Sequence, residues 1–311
     1  MRRPSIGIEA ARPDGEVAAW TLENCLSAST GHHHRQYLNL MNSGLLKFLE
    51  KERQSAPPKT WALPSFGSPV SQLVNANQCL EDRFKKWACA ELGWQFGFNR
   101  KLWEYAFILN ALEMQGKLGG KGLGFGVGTE PTIPVMLRHG AKLVVTDLDI
   151  GDAQARGWTP MRLDGERGPS CVRRVVDMNS IPSDLRDFDF VWSCGALGHI
   201  GGLQPGLQFI EAAMDCLRPG GIAVHTTDFK YDGGDHTFES PNLSIYRQTD
   251  IEALSERLRA RGHRIYLNLA RGTDPLDELV ADEGTPWESR IREACSGHVA
   301  TSVGLIIQRR L

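Results

Sequence analysis

Apolar residues in the second half of this chain come in short, nearly unbroken runs. Leu143-Val144-Val145, Phe188 to Cys194 (FDFVWSC) and Ile222 to Thr227 (IAVHTT) are the clearest. Runs of this length fit strands buried on both faces of a parallel sheet. Cys171 to Val176, His263 to Leu269 and Thr301 to Gln308 read as further strands, and the stretch beginning at Lys121 as the first. Between the runs lie segments of helical spacing, Leu207 to Leu217 and Asp250 to Arg261. Seven strands interleaved with helices predict an α/β fold: a seven-stranded, mostly parallel sheet with helices on both faces.

The first 115 residues have a different pattern. Residues 1 to about 30 are mixed and read as a loose start, and Ser55 to Pro69, with four prolines, reads as an irregular connection. Tyr37 to Glu50 and residues 75–92 and 99–115 have helical spacing. In the last of these Leu102, Ala106, Leu109 and Leu112 share a stripe that Trp103, Phe107 and Ile108 widen, so the helix packs on more than one neighbour. Residues 1–115 are therefore expected to form a helical cap over a domain spanning 116–311. Arg100, Lys101 and Glu104 stand beside the aromatic surface, within reach of a ligand mouth. His32, His33 and His34 are consecutive and cannot all face one ion; a polar helix start is their simpler reading.

Candidate chemistry centres on Lys121 to Asp149, KGLGFGVGTEPTIPVMLRHGAKLVVTDLD. Gly122, Gly124, Gly126 and Gly128 alternate with Leu123, Phe125 and Val127. The alternation begins like a buried strand, but each glycine weakens a strand and they cannot all be strand interior, so a tight turn where backbone approaches a ligand explains them better. Thr129 or Glu130 is placed to cap the following helix, with Pro131 in its first turn. Asp147 ends the second strand 19 positions after Gly128, the spacing at which nucleotide-binding βαβ units hold a ribose. Dinucleotide folds use G-x-G-x-x-G and receive a pyrophosphate at the helix start. Here the spacing is G-x-G-x-G, and Glu130 would repel a pyrophosphate. A ligand without phosphates and with a cationic centre fits better.

On these residues the stretch resembles motif I of the Rossmann-like class I S-adenosylmethionine-dependent methyltransferases. The helix–Leu217-Arg218-Pro219-Gly220-Gly221–strand run is similar to theirs as well, and SCGALGHIG resembles their S-x-x-L-E-H segment. The resemblance covers about 120–310. It implies S-adenosyl-L-methionine as cofactor, with Gly124, Gly126 and Gly128 in its loop and Asp147 on its ribose. Asp177 and Met178 match the residues that bind the adenine amino group and pack on the ring; a turn Asp and a core Met are the alternative. Gly122 stands where the family usually has an acid, and Glu130 is the candidate to replace it toward the methionine amino group. Ser193, Cys194, Ala196 and His199 follow the fourth strand and are expected near the reacting centre. Gly198 replaces the Glu that helps hold a metal in one branch, so no metal is expected.

Composition adds exclusions. Lys plus Arg is 35 against 37 Asp plus Glu, a net charge of −2, which gives no support for nucleic-acid binding. Seven dispersed cysteines without a C-x-x-C pair suggest reduced thiols in a cytoplasmic protein. No apolar run nears the roughly 20 residues that span a bilayer, and no secretory signal is expected. The reading is a methyltransferase, monomer or homodimer, acting on a small polar molecule or a sugar, at oxygen rather than nitrogen or carbon. A hydroxyl acceptor needs a base, with His199 the first candidate and His225 and Asp228 following on the next strand and its loop. An NAD-type oxidoreductase and a non-catalytic methyltransferase-like binding protein are the alternatives.

Overall fold

The computed structural model describes residues 63–149, 151, 170–282 and 290–311, and the backbone of 8–11 and 17–20. The histidine run at 32–34 and the expected helix at 37–50 lie outside these residues. The chain divides into two compact units, Met1–Trp61 and Ala62–Leu311. In the first, β1 (Ile8–Ala11) pairs antiparallel with β2 (Val17–Trp20).

The second unit is built on an eleven-stranded sheet. All seven expected strands are in it: β4 (Lys121–Phe125), β5 (Lys142–Asp147), β6 (Cys171–Val175), β7 (Phe188–Cys194), β8 (Leu217–Lys230), the sixth split into β11 (Arg264–Ile265) and β12 (Leu267–Asn268), and β15 (His298–Gln308). Three short strands join them: β3 (Ser71–Leu73), β13 (Val280–Ala281) and β14 (Arg292–Cys295). The strand order is β12-β3-β15-β8-β7-β4-β5-β6. β6, β5, β4, β7 and β8 are parallel, and β15 runs antiparallel to β8. This is the Rossmann-like, mostly parallel arrangement the apolar runs imply. After β8 the chain forms a hairpin of β9 (Phe238–Ser240) and β10 (Leu243–Ile245).

The α-helices among the described residues are α1 (Ala76–Leu80), α2 (Asp82–Lys85, continued by a π turn), α3 (Arg100–Met114), α4 (Thr132–Arg138), α5 (Leu203–Ala213), α6 (Gln248–Ala260) and α7 (Pro275–Glu278). No described helix is long and apolar enough to cross a membrane. The Asn99 side chain caps α3 by accepting from the Leu102 N–H at 2.8 Å, which satisfies one orphan donor of the first turn. From Leu102 to Leu112 every residue of α3 except Tyr105 is buried, so this helix is a core element of the sheet unit. α4 differs from expectation: neither Thr129 nor Glu130 caps it, and its cap position is Pro131, with no side-chain bond.

Side chains along a strand alternate between faces. A Cβ on Gly122 would lie 2.3 Å from the Phe190 ring, and one on Gly124 2.4 Å from Trp192. These two glycines are thus strand interior, where the alternation begins like a buried strand, and the tight turn falls to Gly126 and Gly128. They are small because large rings of the neighbouring strand cross the sheet surface there. The same face carries Gly304, against which Phe107 of α3 packs, with Trp103 stacked on Phe107 at 4.8 Å between ring centroids. The opposite face holds Leu123, Val191, Ala223 and Leu305 in a core shared with α5 and α6.

Candidate active site

β4 ends at Phe125 and the chain turns through Gly126 and Gly128, whose φ angles are 59° and 47°. Residues with side chains rarely adopt this region, and a Cβ on Gly126 would also lie 2.7 Å from Ala196 Cβ. Asp147 holds the turn: its carboxylate accepts from the Gly128 N–H at 2.9 Å and from the Leu148 N–H at 2.8 Å. Burial pushes the Asp147 carboxyl up, against the pull of these two bonds. Beyond the carboxyl ends of the strands opens a cavity of about 290 Å³, lined by Gly126, Gly128, Asp147, Asp177, Met178 and Cys194 among others. Asp177 accepts from the Asn179 N–H at 2.8 Å, and the Asn179 side chain donates to the Ile200 carbonyl at 3.0 Å. That bond ties the loop after β6 to the turn after β7.

A second cavity of about 210 Å³ is lined by Asn99, Arg100, Lys101, Glu104, Gly195, His199, Asp228 and Arg290. The two cavities share Lys101, Gly195 and His199. Gly195 has φ 70°, and a Cβ there would lie 2.5 Å from Lys101 Nζ, so the lysine reaches the junction only over a glycine.

Glu104 organises this junction. Its Oε2 accepts from Lys101 Nζ at 3.0 Å, Thr226 Oγ1 at 2.9 Å and the Cys194 thiol at 3.4 Å; its Oε1 accepts from Ser302 Oγ at 2.6 Å and Arg100 at 3.4 Å. Burial alone would raise its pKa, but Lys101, Arg100 and the Ser302 bond together lower it to about 2. Arg100 also bonds Asp228 at 2.8 Å and Glu293. Burial disfavours its charge, and Asp228, Glu104 and Glu293 more than restore it.

Of the residues the sequence singles out, Gly126, Gly128, Asp147, Asp177, Met178, Cys194 and His199 line the first cavity, and His199 and Asp228 line the second. Gly124 supports the turn from within β4. Glu130 lies behind the glycine turn, buried, with Oε2 accepting from Trp192 Nε1 at 3.0 Å and Thr132 Oγ1 at 2.9 Å, while its Oε1 has no partner. Burial raises its pKa to about 7, against the two hydrogen bonds.

Ser193 and His225 are not brought to the cavities. They sit on the α5 face of the sheet, where Ser193 Oγ meets His225 Nδ1 at 2.8 Å and the imidazole packs edge-on to Phe209. Complete burial drives the His225 pKa down to about 3, which keeps it neutral. His225 is a core histidine, and the expectation that it sits beside the reacting centre is corrected. Its neighbour Thr226 faces the cavity side instead. His199 follows the left-handed Gly195 in a short 3-10 turn (Ala196–His199), and its Nδ1 lies 2.6 Å from the Asn242 carbonyl. A carbonyl only accepts, so Nδ1–H donates this bond. At Gly198 a Cβ would lie 2.9 Å from the Ser244 carbonyl, so β10 occupies the space the family's Glu would need.

No family model and no curated protein matches the chain. Solved structures do resemble it. One is a protein from Galdieria sulphuraria described as a sarcosine dimethylglycine methyltransferase, at TM-score 0.33 and 19% identity over 51% of this chain. The chain spans about half, 54%, of that relative's length. An S-adenosylmethionine-dependent methyltransferase from Clostridium acetobutylicum aligns with TM-score 0.41 and 12% identity over 76% of this chain and 100% of its own. The 1,6-didemethyltoxoflavin-N1-methyltransferase from Burkholderia thailandensis aligns over 92% of this chain and 93% of its own, with TM-score 0.39 and 14% identity.

Proposed function

We propose that this protein transfers a methyl group from S-adenosyl-L-methionine to a small polar acceptor or a sugar, at oxygen in preference to nitrogen or carbon. The observation that carries the reading is the junction of two cavities at Lys101, Gly195 and His199. One has the furniture of a nucleoside site and the other is polar and lies beside it. The residues fit the cofactor. The turn is open at Gly128, where no atom lies within 4 Å of the place a Cβ would take, and Glu130 Oε1 is an orphaned buried acceptor behind that turn. An orphaned carboxylate oxygen is costly unless a donor arrives, and an α-ammonium is such a donor.

When bound, S-adenosylmethionine supplies a methyl group already activated by its positive sulfur. This chain's residues bind and orient. Asp147, steadied by two backbone N–H groups, keeps lone pairs for the ribose hydroxyls. Asp177 accepts from the adenine amino group, Met178 packs on the ring, and Glu130 takes the methionine amino group. In the second cavity, His199 Nε2 takes the acceptor proton and the Asp228 carboxylate steers the hydroxyl. The helix-start Glu130 argues against a dinucleotide pyrophosphate in the same turn. Calorimetry with S-adenosylhomocysteine, S-adenosylmethionine and NADH tests the reading. Binding of the two sulfur nucleosides is expected, and NADH binding without any response to them would overturn it.

A further inference from the structure

Arg100 and Arg290 stand on the wall of the second cavity. The Arg100 N–H donates to the Arg290 carbonyl at 2.8 Å, which locks the two backbones together. Their side chains share one carboxylate. Glu293 Oε2 lies 2.9 Å from Arg290 Nε, and its Oε1 receives Arg100. Arg100 has Asp228, Glu104 and Ser302 besides. Among the described residues Arg290 pairs with no other carboxylate, and it lines the cavity. Arg100 has Asp228 and Glu104 as further carboxylate partners, so it is Arg290, which shares only Glu293, that a second anion against this wall would serve.

The charges limit which anion fits. The lining holds Arg100, Lys101 and Arg290 against Glu104 and Asp228, one positive charge in excess. Glu293 brings the set to neutrality from behind, and a bound sulfonium adds one positive charge back. A monoanion restores the balance, whereas a dianionic phosphate facing Glu104 and Asp228 overshoots it. We propose that this wall is a carboxylate subsite: the acceptor is a small hydroxy acid whose carboxylate is gripped by the terminal nitrogens of Arg290 while its hydroxyl is directed to His199. The hydroxyl half and the choice of a monoanion rest on the methyl-transfer reading; the donor half stands on Arg290 and its single carboxylate partner Glu293.

The test is calorimetry of the whole protein, with and without saturating S-adenosylhomocysteine, using glycolate, 4-hydroxybenzoate, their amides and inorganic phosphate as probes. At least one carboxylate is expected to bind about ten- to hundred-fold more tightly than its amide, the range of a charge-assisted hydrogen-bond pair, and more tightly than phosphate. Arg290→Gln should erase that preference, and Arg290→Lys, which keeps the charge but loses the fork, should keep part of it. Thermal melting of both variants checks that they fold. Equal binding of acid and amide, no binding of either acid, or an intact preference in a folded Arg290→Gln protein overturns the subsite. A carboxylate preference without any response to S-adenosylhomocysteine would keep the subsite and sink the cofactor reading; the reverse pattern would sink the subsite alone.

Discussion

The indole of Trp192 donates to Glu130 Oε2 at 3.0 Å, and this bond links the glycine turn to the strand beside it. Glu130 has its pKa raised to about 7 from 4.5 by burial. A raised folded value means that folding favours the protonated form. The stability this carboxyl contributes is full below about pH 4.5 and is lost as pH rises through about 7. The free protein is therefore expected to lose up to about 3 kcal/mol on this account. Urea unfolding of wild type and Glu130→Gln at pH 5 and pH 8.5 checks it: the gap between the two proteins should change with pH, and an unchanging gap would mean that Glu130 stays charged or stays neutral throughout.

Glu104 presents the opposite case. Its carboxylate is held ionised by Lys101 and Arg100 in a buried setting. Removing one partner of a buried ion set leaves charge uncompensated and costs about 3–5 kcal/mol. Glu104→Gln should destabilise the protein by that order in denaturant titrations at pH 7. Adding Lys101→Met should recover part of the loss, and a double variant as unstable as the sum of the two singles would show that the residues are not coupled.

Much of this site is legible from local pattern and some of it is not. The turn at Gly126 and Gly128 and the acid at Asp147 follow from spacing within one βαβ unit. The fourth strand and Cys194 also follow, because the run FDFVWSC is short and bounded. The period of two within that run and within IAVHTT separates Cys194 and Thr226 from Ser193 and His225. Proximity to a strand end says nothing about face, which is why His225 looks catalytic in sequence and is core in the fold. Gly122 and Gly124 depend on Phe190 and Trp192, which lie one strand away and more than 60 positions on. Glu104, Arg290 and Glu293 converge only through tertiary packing. Glu104 alone had a local signal, a charged residue within an apolar helix.

Residues 63–115 are tied into the sheet rather than laid over it. Ser71–Leu73 pairs with β12 and β15, and α3 carries Lys101 and Glu104 into the site. A chain of residues 117–311 should therefore fail to fold cooperatively, whereas 62–311 should fold. Denaturant curves and amide exchange of both chains decide this. Cooperative unfolding of 117–311 would show that the sheet stands without α3.

Asp147 is expected to contribute to cofactor affinity through the ribose and through the turn it braces. Asp147→Ala removes a charged acceptor and the bonds from Gly128 and Leu148, and should weaken S-adenosylhomocysteine binding by about 1–3 kcal/mol. Calorimetry reads this directly. Unchanged affinity in a folded variant would place the ribose elsewhere.

His199 lines both cavities and is anchored through Nδ1 to the Asn242 carbonyl. If a hydroxyl is the acceptor, its proton leaves as the new carbon–oxygen bond forms, and His199 is the base proposed to take it. General-base help is worth about 10²–10⁴-fold. His199→Ala should lower single-turnover methyl transfer by that factor while S-adenosylhomocysteine affinity stays within about two-fold, and added imidazole should return part of the rate. His199→Asn separates a base from a brace, because an amide can still donate to the Asn242 carbonyl but cannot take a proton at neutral pH. A His199→Asn protein that keeps most of the wild-type rate would assign His199 to bracing its turn and leave Asp228 as the remaining proton acceptor among the sequence-predicted residues of that cavity.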